Sequence, residues 1–385
     1  MKKVLFITDD LIMGFSGGSL GHKKIYDLLH FMREDGEIEF KVISLDNNLS
    51  ESLLILNKNR LLDLQSRILL GSSYLKVLKK DICIVTRRYN PDVIVLGRSR
   101  LGFLANEFKI LMPNTILVTN FDNVEYDYVD SQFADRKGLF GIIVRYIEKV
   151  LVYLDEKKCA QNSLKYIFLS ERDKNRMMEL YKLSVEARSS IIPVCLEENI
   201  KHLSDNEKKN VVFLGNLQHD SNIQAVMWFL ENVWLKYFKN RADVTFTVAG
   251  KNAEKILKKY KDINNIIVYS DFKDVSDVVT KYSLFVAPIL NGAGMKVKIA
   301  EALSMGLPVI GTAEALVGYE EAINDLKGNG FLYLADNEDD YKRYIDEYFC
   351  MNKLELKKIS INNRNVFVKY YTYTRALPVF RDIIK

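Results

Sequence analysis

Cysteine, histidine, proline and tryptophan are all scarce in this chain of 385 residues, at four, four, six and two copies. The four cysteines (Cys83, Cys159, Cys195 and Cys350) lie far apart with no Cys-x-x-Cys pair. That excludes a disulfide framework and a zinc site of the usual spacing, and it fits the thiols of a cytoplasmic protein. No Asp-x-Asp occurs anywhere, so no metal held between two such carboxylates is expected. Long apolar runs are absent too. The run after Lys2 and Lys3 covers residues 4–7 and meets Asp9 and Asp10 at once, which leaves no room for a signal-peptide core or a membrane span. A large charge excess is also missing, with 55 Lys+Arg against 50 Asp+Glu. So slight a balance argues against a nucleic-acid partner, yet it suits phosphate-bearing substrates or an anionic membrane surface.

What the chain does have is a rhythm of short, β-branched apolar runs between segments of helical period. In the first half they are residues 4–8, 40–45, 92–96, 115–119, 166–170 and 191–194. In the second half they are 211–214, 244–249, 266–269, 284–288, 308–312 and 331–334. Runs apolar on both faces and separated by helices predict buried parallel strands. Two such series predict two doubly wound α/β domains, with a polar linker near residues 193–210. In such sheets ligands gather beyond the carboxyl ends of the strands.

The richest segment is 284–312, which reads as strand, glycine turn, helix, helix stop and strand. Gly292 and Gly294 leave bare backbone for a ligand. A helix beginning near Met295 would aim its free N–H groups and positive dipole end at that ligand. Lys296 and Lys298 add charge beside it, and Gly306 followed by Pro308 stops the helix. Glu301, two turns in, is placed to accept two hydrogen bonds from a vicinal diol such as a ribose, each worth roughly 1.5–3 kcal/mol. Gly-x-Gly alone would read equally well as a tight turn. The full set suits a pyrophosphate with a ribose.

Residues 292–312 resemble the donor-site signature of the large retaining family of GT-B glycosyltransferases, family 4: a glycine-bearing loop, then Glu-Ala-Leu, then Gly-x-Pro-Val-Ile. Residues 211–216 with Asn222 and Trp228 resemble the opening strand, loop and helix of that donor domain. Residues 248–251 and the turn 271–274 resemble its next two strand ends. In the first half, 16–19, 118–125 and 169–173 resemble the acceptor domain's glycine loop and later strand ends.

The resemblance implies an α/β fold of GT-B type, with two Rossmann-like doubly wound parallel-sheet domains facing across a cleft. Residues 1–195 would be the acceptor-binding domain and 196–365 the nucleotide-sugar domain, with 366–385 a C-terminal helix packing back toward the first. It implies transfer of a sugar, of hexosyl type and with retention, from a UDP- or GDP-sugar to a saccharide or lipid-linked saccharide in surface polysaccharide synthesis. No cofactor or metal is expected. The donor-binding set is Gly17, Gly18, Gly215, Asn216, His219, Gly292, Gly294, Met295, Lys296, Lys298 and Glu301, and the catalytic set Asp122, Lys296 and Glu301.

Three positions depart from the family pattern. Ala293 stands where a glutamate is common, eight residues before Glu301. The residues after the first donor-domain strand, Asn216 to His219, hold no basic pair, so Lys296 or Lys298 is expected to contribute that charge. Asp122 occupies the position of the acceptor-domain histidine. Ala293 and Asp122 motivate an alternative, a non-catalytic GT-B subunit that stabilises a partner enzyme. A nucleotide-sugar epimerase shares the fold, but the few histidines argue against it. Residues 138–158 allow two readings: a helix on the inner membrane surface that meets a lipid-linked acceptor, or the commoner core helix of the acceptor domain, which we expect.

Overall fold

Val4, Leu5, Phe6 and Ile7 are all fully buried, and a strand with no exposed side must lie in a sheet covered on both faces. The computed structural model describes residues 1–14, 17–133, 138–181, 188–198, 203, 210–270, 272, 274–281 and 283–385. Ser16, most of the 193–210 linker, and Asp271 and Lys273 of the 271–274 turn lie outside the described residues.

The first unit comprises Met1–Cys195 and Ala376–Lys385. Its sheet holds β1 (Lys2–Ile7), β2 (Ile38–Ser44), β3 (Ser52–Ile55), β4 (Val93–Leu96), β5 (Ile116–Phe121), β6 (Lys165–Phe168) and β7 (Ser189–Ile191). The order is β3-β2-β1-β4-β5-β6-β7, and every pairing is parallel. The second unit, Leu196–Arg375, holds β8 (Asn210–Leu214), β9 (Thr245–Ala249), β10 (Ile266–Tyr269), β11 (Ser283–Ala287), β12 (Val309–Gly311) and β13 (Leu332–Leu334). Its all-parallel order is β10-β9-β8-β11-β12-β13. No helix among the described residues is long and apolar enough to cross a membrane.

All twelve expected runs contribute strand residues, with two differences. β3 is additional: an edge strand of four residues, none of them buried, too short and too exposed to stand out by periodicity. β7 ends at Ile191 instead of continuing to Val194, because Pro193 has no N–H to extend the ladder.

Three expectations about helices are corrected. The donor helix runs Val297–Ser304 and does not begin near Met295. Gly294 is left-handed at φ 63° and Lys296 extended, so α-helical backbone starts only after them. Glu301 therefore lies one turn in, not two. The chain end is not one helix from 366 but Lys353–Tyr370 and Tyr373–Ile384. They part where the Tyr371 carbonyl accepts the Leu196 N–H. Lastly, residues 138–158 are core only in part. Helix Leu139–Asn162 buries Leu151, Val152, Cys159 and Ala160 along with Glu148, Asp155 and Glu156, but leaves Leu139, Phe140, Tyr146 and Ile147 exposed.

Helix Val297–Ser304 stops in a Schellman motif: Gly306 N–H donates to Leu303 O and Leu307 N–H to Ala302 O. Gly306 takes φ 72°, and a Cβ there would also collide with Ser360. Beside it, the fully buried Asn363 of helix Lys353–Tyr370 donates to Leu307 O and Phe331 O and accepts from Phe331 N–H. This clamp secures the starts of β12 and β13. Gly306→Ala is expected to destabilise the second unit by roughly 1–3 kcal/mol, read as a lower melting temperature by calorimetry.

Candidate functional site

Each sheet has one place where strand order reverses: between β1 and β4, and between β8 and β11. Crevices outside the carboxyl ends at such points are where open α/β sheets hold ligands. In the second unit, Gly215 and Asn216 follow β8, while Gly292 to Lys298 follow β11. Asn222 ties the two loops together. Lys298 Nζ donates to its Oδ1 at 2.7 Å, and its Nδ2 donates to Asn216 O at 3.0 Å. The Lys298 ammonium also lies 4.8 Å from the centroid of the Phe213 ring, a cation–π contact. Gly215 fits because a Cβ there would come within 3.0 Å of Phe213 and 3.1 Å of Asn222.

The helix start is braced from below. The Tyr319 hydroxyl donates to Lys296 O at 2.9 Å and accepts the Ala300 N–H at 3.1 Å. The amides of Val297 and Lys298 come before any intrahelical acceptor, so they remain available to an anion. Lys296 is spoken for. Its Nζ donates to Ala293 O at 3.1 Å and Gly294 O at 2.8 Å, and pairs with Glu314 at 2.9 Å. The expectation that either lysine would contribute free charge thus narrows to Lys298. Met295 is buried against Gly318, which leaves it a packing role. His219 is the exposed N-cap of helix Asp220–Phe229, with no side-chain cap bond. The Asn216 side chain accepts the Gln218 N–H at 3.0 Å. Glu301 is exposed. Burial lowers the Lys298 ammonium to about 8; Glu301 opposes the shift and Lys296 adds to it.

In the first unit, Gly17 and Gly18 open helix Gly17–Glu34 and are not loop residues; the neighbouring Ser16 lies outside the described residues. Asp122 follows β5 and is buried, with neither carboxylate oxygen hydrogen-bonded among the described residues. Arg98, following β4, stands 3.7 Å from each of Asp9, Asp10 and Asp122. The ring nitrogens of His22, fully buried, also lack partners among the described residues. Close approach is permitted by glycine at Gly97, where a Cβ would stand 3.0 Å from His22 Nδ1.

Burial raises Asp122 to about 7, with Arg98 opposing and Glu125 and Asp9 reinforcing. Burial, helped by Arg98, lowers His22 to about 3. Asp9 is the anchored member. Burial pushes it up, but Arg98 and the Ser73 hydroxyl (2.7 Å) outweigh that and hold it low. So many unpaired buried polar atoms in one spot are the mark of a ligand site. Asp9, Arg98, Glu314 and Tyr319 carry no motif in the sequence. The polar residue just past each strand end is the signal that would have found the first two.

Two all-parallel sheets, each with polar groups gathered at its switch point, define the class: the fold is that of GT-B glycosyltransferases. A glycosyltransferase from Rickettsia africae superposes with a TM-score of 0.68 at 15% identity, covering 100% of this chain and 99% of that one. Anabaena HepE, in complex with UDP-glucose, superposes with a TM-score of 0.65 at 12% identity, covering 100% and 99%. Residues 208–349, within the second unit, match the model of the glycosyl transferases group 1 family. An uncharacterized 44.6 kDa protein in the cps region of Klebsiella pneumoniae is 25% identical over 290 residues, spanning 72% of this chain and 71% of its own length.

Because Lys298 sits near 8 when the site is empty, a bound diphosphate would raise it and draw in a proton above that pH. Calorimetry of UDP or GDP binding at pH 8–9, in buffers of different ionisation enthalpy, should show proton uptake. Lys298→Arg should abolish the uptake while binding persists.

Proposed function

We propose that this chain is a retaining glycosyltransferase that moves a sugar from a UDP- or GDP-sugar to a saccharide or lipid-linked saccharide acceptor in surface polysaccharide synthesis. The observation that carries the donor half is the start of helix Val297–Ser304, where two amides, Lys298 and the exposed Glu301 sit at the β8/β11 switch point. The diphosphate takes the Val297 and Lys298 amides and the Lys298 ammonium, which neutralise the leaving group without a metal. Glu301 accepts from the ribose hydroxyls. Lys296, with Glu314, shapes the loop. HepE, which was seen with UDP-glucose, supports a nucleotide-sugar donor, and the Klebsiella relative's place in a cps region supports the polysaccharide setting.

The first unit takes the acceptor side. Asp122 orients a sugar hydroxyl or steadies positive charge developing on the transferred sugar, with Arg98, Asp9 and His22 around it. A non-catalytic subunit has Ala293 in its favour. It offers no reason, however, to keep a buried carboxylate and imidazole without hydrogen-bond partners among the described residues, at a cost of about 1–3 kcal/mol each.

UDP or GDP should raise the melting temperature, and Glu301→Ala should remove that rise; no rise with any nucleoside diphosphate would defeat the donor assignment. Asp122→Asn should keep the rise but cut transfer or donor hydrolysis at least tenfold. Activity should also fall as pH drops below about 7, where Asp122 takes up its proton, and the variant should lack that limb.

A further inference from the structure

Glu156, on helix Leu139–Asn162, is wholly buried, and a carboxylate is costly to bury unless donors surround it. Four donors meet this one. The Ser99 hydroxyl and the Glu125 amide donate to Oε1, each at 2.9 Å. The Tyr126 amide and the Tyr181 hydroxyl donate to Oε2, at 3.1 and 2.8 Å. Further along the same helix, the Cys159 thiol donates to Ser99 O at 3.4 Å. Ser99 is therefore held by both its side chain and its backbone.

The origin of these donors connects Glu156 to the switch point. Glu125 and Tyr126 open helix Glu125–Gln132, whose N-cap, Val124, makes no side-chain cap bond. Their amides have no intrahelical acceptor. The Glu156 carboxylate takes both, placing negative charge at the positive end of that helix. Asp122 lies just before this helix start, and Ser99 directly follows Arg98. One side chain thus ties the loop after β4 to the loop after β5. Neither Asp122 oxygen nor Arg98 Nε has a hydrogen-bond partner among the described residues, and the ion pair between the two side chains stretches to 3.7 Å. Their placement is set mainly by the backbone that carries them, and Glu156 holds that backbone on both sides.

We propose that Glu156 is a positioning residue for the first unit's switch-point site, fixing Asp122 in place against Arg98. It rests on the acceptor-side reading of Asp122, and with both oxygens covered Glu156 acts only through these neighbours. Glutamine is the probing substitution. It keeps the size of the side chain but turns one acceptor oxygen into an amide group, which cannot accept from the backbone N–H it would meet.

Steady-state kinetics of transfer or donor hydrolysis test it, comparing Glu156→Gln, Asp122→Asn and the double variant. Glu156→Gln should lower kcat at least tenfold, with the donor KM within twofold of wild type and the melting rise with UDP or GDP kept. In the Asp122→Asn background the same change should cost less than twofold, because the group it positions is already disabled. Tyr181→Phe removes one of the four donors and leaves the ring in place, so it serves should Glu156→Gln fail to fold. Its kcat should fall roughly threefold, again only where Asp122 is present. Wild-type kcat in Tyr181→Phe and in folded Glu156→Gln would overturn the proposal. So would losses that multiply with that of Asp122→Asn, the mark of damage to the fold at large. Wild-type activity in Asp122→Asn would defeat the acceptor-side reading and this proposal together. An impaired Asp122→Asn beside an unimpaired Glu156→Gln would defeat this proposal alone.

Discussion

The direction of one short helix governs the donor half of this protein. Eight residues, Val297–Ser304, give a helix barely two turns long, so its dipole and free amides act usefully only if its axis is fixed. The fixing comes from both ends. At the start, the Tyr319 hydroxyl holds one carbonyl and one amide, and Lys296 is folded back onto the preceding loop and onto Glu314. At the finish, Gly306 turns the chain sharply into β12, and Asn363 locks that turn to β13. Helix Lys353–Tyr370, which provides Asn363, thus acts on the site although it never reaches it.

The same economy of contact explains why one lysine and not the other suits phosphate. Both stand beside the helix start in sequence. Lys296 spends its donors on Ala293, Gly294 and Glu314, and displacing it would leave two carbonyls and a carboxylate unmet. Lys298 makes one hydrogen bond, to Asn222, and lies over Phe213. It keeps donors to spare and is poorly solvated, the state in which an anion gains most from meeting it. The first unit follows a different plan. Arg98 is shared loosely among three carboxylates, Asp122 included, and Asp122 and His22 are buried without hydrogen-bond partners among the described residues. That arrangement has both donors and acceptors to offer, as a polyhydroxyl ligand requires.

Much of this was legible in the sequence. The apolar runs marked twelve strands because buried parallel strands must be apolar on both faces. The glycines and the Gly-x-Pro stop marked the donor turn because few other residues allow that backbone. The failures depended either on local backbone that residue type does not dictate or on partners distant in sequence. The start of the donor helix hinged on the backbone of Gly294 and Lys296. The pairing of Lys296 hinged on Glu314, eighteen residues later. Helix Leu139–Asn162 looked like core because it is apolar, and only the folded chain shows that Glu148, Asp155 and Glu156 share its buried face with Leu151 and Val152 while its first turns stay exposed.

A nucleoside diphosphate is expected to bind at the start of helix Val297–Ser304. A crystal structure with UDP or GDP, whichever stabilises the chain more, addresses it directly. The diphosphate should lie within hydrogen-bond distance of the Val297 and Lys298 amides, with the ribose against Glu301. Density for it instead in the lysine-lined hollow formed by Lys251, Lys255, Lys258 and Lys261 would contradict the account.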